Sequence, residues 1–420
     1  IWGQREQKYN WLSNNSFKST GWKEVHPSSP FYFFTIRNEE GKEVYGKFIS
    51  VKDIFKINGV GIVTARDEFV IDRDKEALKI RIANFIKSEL SDDELHEFFR
   101  INKKKGWSIR KAHDELQKIN DSELENYIMP ILYRPFDLRW IFYHDAIVWR
   151  TVKVIMQNML AGENLGLITV RQVAEGTFSH VLVSENIIES CVVSNRTREI
   201  NSLFPLYLYP SSNKDNLFKE ECNETQPKEK VPNLNPELMA KLRGTYLADV
   251  TPEQIFYYIY AVLYSNIYRT KYAEFLKIDF PRVPFTADFN LFMKLSDLGE
   301  ELVSLHLLKS PKLDNPIAKY GGKGNDAVVK VQYNESEKRV YINANNYFEN
   351  VEPVVYSYYI GGYQVLNKWL KDRVGRILSL SEIETYCKIV TALSETLALQ
   401  SQLDSLYPEV EKTILEVAKE

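Results

Sequence analysis

Gly361-Gly362-Tyr363-Gln364-Val365-Leu366-Asn367-Lys368-Trp369-Leu370-Lys371-Asp372-Arg373 is the stretch from which this chain is best read. A glycine pair releases the backbone into a short helix. On that helix Val365 and Trp369 stack at i,i+4, as do Leu366 and Leu370, so an apolar arc docks on a core while Lys368 and Lys371 point elsewhere. Arg373 and Arg376 follow around Gly375, where the helix stops. Cations held by a seated helix end suit phosphate contact, because their position is set before the ligand arrives. The same pattern also describes an ordinary surface helix with solvated lysines.

Upstream, 327–342 alternates apolar and polar residues across Asn334-Glu335-Ser336-Glu337 and predicts a hairpin, while Ser381 with Glu384 predicts a capped helix over 382–403. Thr251-Pro252-Glu253 is a helix start, and the helices after it, through residue 308, are broken by Phe280-Pro281-Arg282-Val283-Pro284. Between 210 and 236 the composition shifts to Ser, Asn, Lys, Glu and Pro, as in a linker or surface loop. The N-terminal part reads as a helix over 5–12, a strand over 31–36, a hairpin turn over 38–42 and a strand over 60–64 with a return strand over 68–71. Asn58-Gly59-Val60-Gly61 lacks the third glycine of a dinucleotide loop and reads as a turn. Charged helical periodicity over 74–118 gives two or three helices. Strands over 131–143 and 165–171 flank a helix over 151–160, and 181–184 and 191–194 add further strands. The predicted class is mixed α/β (α+β): a sheet-containing part over 1–209, a linker over 210–237 and a helix-rich part over 238–420.

At 420 residues and 49.0 kDa the chain can bury a large core, and length suggests two or three domains. Aromatics make up 13%, which argues against disorder. The net charge of −3 calls for no polyanion globally, so any DNA-binding surface must be local. Cys191, Cys222 and Cys387 are too far apart for a disulfide framework or zinc knuckle and fit a reducing cytoplasm; the six histidines show no ligand spacing. The most apolar run, 255–267, falls short of the roughly 20 residues of a membrane span. The start at Ile1 fits a piece of a longer polypeptide.

Several chemistries are missing. None of the 16 prolines is followed by another, so the chain cannot supply the Asn/Asp/Ser-Pro-Pro-aromatic loop with which amino-methyltransferases grip a flipped base. It has no Walker A loop, no G-x-G-x-x-G turn and no Gly-x-Ser-x-Gly. The acid–lysine spacings at Glu40-Gly41-Lys42 and Glu6-Gln7-Lys8 lack the clustered carboxylates of a metal-dependent nuclease.

A set of blocks in order then carries a resemblance: Gly61-Ile-Val-Thr-Ala-Arg-Asp67, Leu132-Tyr-Arg-Pro-Phe-Asp-Leu-Arg139, Met159-Leu-Ala-Gly-Glu-Asn-Leu-Gly-Leu167, Ile187-Ile-Glu-Ser-Cys191 with Ser194-Asn195, Phe204-Pro-Leu-Tyr-Leu-Tyr209, Asp279-Phe-Pro-Arg282, Tyr320-Gly-Gly322 and the run from Gly361 to Arg376. Together they resemble the C-terminal specificity (target recognition) region of type ISP restriction-modification enzymes and related adenine-specific DNA methyltransferases. The resemblance implies a non-catalytic fragment that recognises double-stranded DNA. It also implies an upstream methyltransferase domain that holds S-adenosylmethionine, sometimes joined to a nuclease and a motor.

A specificity region reads base edges with forked or amide side chains, while cations hold phosphates. Arg171-Gln172, just past a strand, combines the side chains suited to guanine and adenine edges and is the preferred reading pair. Arg196 and Arg198 stand in a loop, and Lys368, Lys371, Arg373 and Arg376 suit phosphates. Arg66, Arg134 and Arg139 are further candidates, but each lies near Asp67 or Asp137 and reads equally as an internal ion pair. Lys103-Lys104-Lys105-Gly106 reads as a solvated face, and Tyr257, Tyr258, Tyr260, Tyr264 and Tyr268 as core rather than base-stacking residues. Two other readings remain: an interaction scaffold of the same machinery, which would lack salt-dependent DNA affinity, and an autonomous nuclease.

Overall fold

The computed structural model describes residues 4–27, 32, 34, 38–210 and 230–416. Most of the strand predicted over 31–36 and residues 211–229 of the linker lie outside them. Contacts divide the chain into Ile1–Glu40 and Gly41–Glu420. In the first unit the Gln7 side chain accepts from the Gln4 amide at the start of helix Arg5–Asn14. The Trp22 indole donates to the Phe17 carbonyl at 2.9 Å.

The second unit is mixed α/β. Its centre is helix Pro252–Tyr264, capped by Thr251 and Gln254 as the sequence predicts, against helix Phe289–His306. Pro252–Tyr264 is buried nearly all round, which explains its lack of a polar face. At the crossing a Cβ on Gly299 would lie 1.9 Å from the Tyr257 carbonyl oxygen, so only glycine allows this approach. Tyr258, Tyr260, Tyr264 and Tyr268 are core residues whose hydroxyls find fixed acceptors. Tyr258 donates to Pro284 O at 2.8 Å and Tyr268 to Arg282 O at 2.7 Å, both in the break between helices. Tyr260 donates to His306 Nδ1 at 2.6 Å, and burial pushes His306 down to about 3, so it stays a neutral acceptor there.

Two four-stranded sheets pack around these helices. One orders Gly59–Val60, Asn201–Pro205, Gly166–Val170 and Val181–Ser184, all antiparallel. Its last three strands are buried throughout, so they read as apolar runs without alternation. The other orders Ile71–Asp72, Asp137–Phe142, Ile128–Arg134 and Ile187–Ile188, the last pair parallel. A third sheet contains the predicted hairpin, Gln332–Asn334 paired with Arg339–Tyr341. Within the second unit, residues 41–209 and 238–420 share this core: Ile49–Ser50 pairs with Arg282–Val283, and Tyr264 donates to Val181 O at 2.8 Å.

Several local expectations are corrected. The return strand over 68–71 is instead helix Asp67–Val70, because the Arg66 carbonyl accepts from the Phe69 and Val70 amides. The segment 191–194 is a turn, since the Glu189 carboxylate accepts the Cys191 amide at 2.6 Å and folds the chain out of the ladder. Gly59–Val60 is a strand paired with Ser202 and Leu203, not a turn. Gly41, at φ 79°, starts helix Lys42–Lys47 rather than turning a hairpin. The final helix is capped by Ser379 and Glu382, two residues before the predicted box, and runs Leu380–Lys412 because Tyr407 and Val410 are also buried. Among the described residues no helix is long and apolar enough to cross a membrane.

Substituting Gly299→Ala should force the two central helices apart and cost about 1–3 kcal/mol. A lowered midpoint in urea unfolding, with an unchanged far-ultraviolet spectrum below the transition, is the expected result.

Candidate nucleic-acid interface

The glycine pair does more than release a helix. Tyr359–Ile360 and Tyr363–Gln364 form a hairpin whose two-residue turn is Gly361-Gly362, with Gly361 at φ 58°. That turn lies directly against a second segment: a Cβ on Gly361 would stand 1.9 Å from Val193 O and 3.0 Å from His180 Cδ2. The Gly361 amide donates to Ser179 O and the Gly362 amide to Val193 O, both at 2.9 Å. Helix Val365–Lys371 follows with Val365, Leu366, Trp369 and Leu370 buried, as the arc predicts. The Trp369 indole donates to Phe136 O at 3.2 Å.

The two segments under the turn, 171–180 and 191–200, are joined by one carboxylate. Glu199 is fully buried and accepts from the Ala174 amide at 2.7 Å, the Ser194 hydroxyl at 2.5 Å and His180 Nε2 at 3.1 Å. Burial alone would raise this carboxyl, but the donors from His180, Ser194 and Ala174 outweigh it and hold it at about 2. The loops therefore behave as one body, with Arg171, Gln172, Arg196 and Arg198 exposed on it. Arg171 meets Asp279 at 3.0 Å while remaining 62% exposed. Arg196 donates to Glu175 O at 3.3 Å. Gln172 and Arg198 have no side-chain partner among the described residues.

The other arginines turn inward. Asp137, 1% exposed, accepts from Arg139 Nη2 at 2.6 Å, Arg373 Nη2 at 2.9 Å and Arg73 Nη2 at 3.4 Å. Burial opposes its charge, yet Arg139, Arg373 and Arg73 hold the carboxyl below the usual range. Arg373 also donates to Glu382 at 3.0 Å and lies 3.3 Å from the centre of the Trp369 ring. Arg134 takes Glu189 at 2.6 Å instead of Asp137, and both Arg134 and Arg139 lie over the Tyr133 ring. Arg66 does not pair with Asp67. Its Nη1 donates to Ile147 O at 2.9 Å, its guanidinium lies 3.6 Å from the Trp107 ring centre, and burial lowers it to about 10, so it remains cationic near neutral pH. Of the C-terminal cations, Lys368 pairs with Asp372 at 2.5 Å and Arg376 with Glu382 at 3.1 Å, while Lys371 is exposed.

The exposed candidates thus fall in two places, the Glu199-locked loops and the end of helix Val365–Lys371, whereas Arg66, Arg134, Arg139 and Arg373 are absorbed by the fold. The family model of the type ISP C-terminal specificity domain matches residues 53–401. The chain belongs to this family. Comparison with curated proteins gives no match. The fold is similar to three solved structures: a DrdV–DNA complex (TM-score 0.72, 20% identity, 96% of this chain and 42% of that one), a nuclease-deletion mutant of the type ISP enzyme LlaGI in complex with a DNA substrate mimic (0.65, 19%, 95% and 32%), and the ATP-dependent type ISP enzyme LlaBIII bound to DNA (0.66, 18%, 90% and 25%). The specificity domain described here spans less than half the length of each.

Glu199 and His180 escape a reading of this specificity domain's sequence, because their partners lie up to 25 positions away and no local pattern marks them. The sequence signals near them are Ser194, which donates to Glu199, and the Gly361-Gly362 pair that covers them.

Asp137→Asn would leave Arg73, Arg139 and Arg373 without their shared counter-charge and should destabilise the domain by about 3–5 kcal/mol, measured by denaturant titration. Glu199 has a carboxyl lowered from 4.5 to about 2, so its contribution is present above pH 4.5 and is lost as pH falls toward 2. Stability of Glu199→Gln should therefore vary less than wild type between pH 5 and 2. An unchanged pH slope would refute the hub.

Proposed function

We propose that this chain recognises a short sequence in double-stranded DNA and presents an adenine in it to a methyltransferase domain of the same machinery. The observation that carries this reading is the Glu199-locked pair of loops, which holds an arginine, an amide and two further arginines outward on a buried sheet. Forked and amide side chains suit guanine and adenine edges, and a rigid support preserves their register before DNA arrives. The three structural neighbours are complexes with DNA or a DNA mimic, which supports the same partner here. In this reading Arg171 and Gln172 read bases, Arg196 and Arg198 read or flank them, and Lys368, Lys371 and Arg376 hold phosphates. Asp279 keeps Arg171 extended in the absence of DNA.

S-adenosylmethionine belongs, in this proposal, to the partner domain. The glycine-x-glycine run of this chain, 59–61, is built into a sheet edge rather than opening a helix, so it does not form a cofactor cradle. The target is flipped at a cost of a few kcal/mol, which contacts on both sides of it offset.

Binding should be measured with duplexes carrying the target or scrambled sequences at two salt concentrations. Arg171→Ala should reduce the preference for target over scrambled DNA by about tenfold to a hundredfold, corresponding to about 1–3 kcal/mol. Lys371→Ala should weaken all duplexes alike. Equal effects of both substitutions on both duplexes would overturn the assignment, and salt-independent or absent binding would favour a scaffold.

A further inference from the structure

We infer that the segment Arg100 to Lys105, together with Arg150, forms a second DNA-facing surface that grips phosphates beside the sequence read by the Glu199-locked loops; this rests on the reading just given. The lysine run has the composition of a solvated face, but the structure gives it a platform. Lys104 Nζ lies 4.9 Å from the centre of the Trp149 ring. Behind it, buried Arg66 lies 3.6 Å from the Trp107 ring centre and 6.0 Å from that of Trp149, and the Trp107 indole donates to Ala146 O at 2.8 Å. Two indoles and a guanidinium thus fix the base on which the lysine rests, reducing the freedom it must lose on binding.

The charge on this surface is also uncompensated. Lys103 pairs with Asp93 at 2.7 Å, but Arg100, Lys105 and Arg150 are exposed and form no ion pair among the described residues. Several other cations on this part of the chain are matched, as in Lys75 with Glu125 and Arg110 with Asp92. Of the exposed acids nearby in sequence, Asp93 is taken by Lys103 and Asp145 by Lys153, and Glu94 and Glu97 pair with none of these three. A polyanion supplies what the chain withholds.

The position favours a duplex backbone. One backbone run, 59–64, bridges this surface and the loops: Gly61 donates to Asn201 O at 3.2 Å, while Val63 O accepts from Arg150 at 2.9 Å and Thr64 O from Trp149 at 3.3 Å. Two steps of about 4.8 Å separate Arg150 from the strand that follows Arg198, or about 10 Å. At about 3.4 Å per base pair, that is roughly three base pairs, so the cations meet phosphates flanking the contacted bases.

The test is the triple variant Lys104→Ala, Lys105→Ala, Arg150→Ala, assayed on target and scrambled duplexes over a salt series. Loss of three phosphate contacts should lower the slope of log affinity against log salt by about two to three, leave the target-to-scrambled ratio unchanged, and have no effect on a duplex trimmed of its flanks. Wild-type binding that is selective, with an unchanged slope in the variant, overturns this surface alone. A changed selectivity ratio overturns it too, because the residues would then be reading bases. Absence of wild-type selectivity overturns the DNA-reading proposal itself. The thermal midpoint of the variant should match wild type, as all three side chains are exposed or partly so.

Discussion

A carboxylate surrounded by guanidiniums holds this fold together. Asp137 sits at the start of a strand, and the arginines that reach it come from the same strand, from a preceding loop and from the segment after helix Val365–Lys371, 236 positions away. In a desolvated site such a group is costly unless every charge is met, so the geometry admits little slack. Because Arg373 is drawn inward to Asp137, Trp369 is carried onto Phe136, and the hairpin before it is brought onto Val193. The clasp between the Arg73–Arg139 region and Arg373 and the seating of the loops are therefore one arrangement.

Glu199 repeats the device on a smaller scale, using a backbone amide, a hydroxyl and an imidazole in place of guanidiniums. Its three donors come from both loops, so neither loop can shift without exposing a buried charge or a buried amide. The physical result is a rigid mount for side chains that remain exposed outside. Binding residues gain by being exposed and mobile at their tips, and lose if their backbones wander. The buried carboxylate separates those two requirements.

The same separation sorts the arginines. Desolvation makes a buried guanidinium demand a fixed partner, as Arg134 finds in Glu189 and Arg373 in Asp137 and Glu382. An exposed guanidinium pays little to exchange a carboxylate for a phosphate or a base, which is the situation of Arg171 beside Asp279. Arg66 is the exception: it is buried against carbonyls and indoles without a carboxylate, and its guanidinium packs on the rings of Trp107 and Trp149 beside Lys104.

By itself the sequence determined the mixed α/β class, the helix starts at Thr251 and the 361–373 run, the apolar arc of Val365, Leu366, Trp369 and Leu370, the 332–341 hairpin, the core role of the tyrosines and the family. These depend on periodicity, caps and turn residues that act within a few positions of one another. It misplaced the final cap by two residues, and it took 68–71 and 191–194 for strands because short apolar runs look alike until a side chain such as Glu189 claims a backbone amide. It left open which arginines face inward, since Arg134, Arg139 and Asp137 are neighbours in sequence whatever their partners in space. Only the tertiary structure decided that Asp137 takes Arg139 and Arg373, that Glu199 locks two loops, and that the glycine pair exists for a close approach to Val193. Burial and pairing over hundreds of positions fix the cost of each charge, and no local pattern encodes that cost.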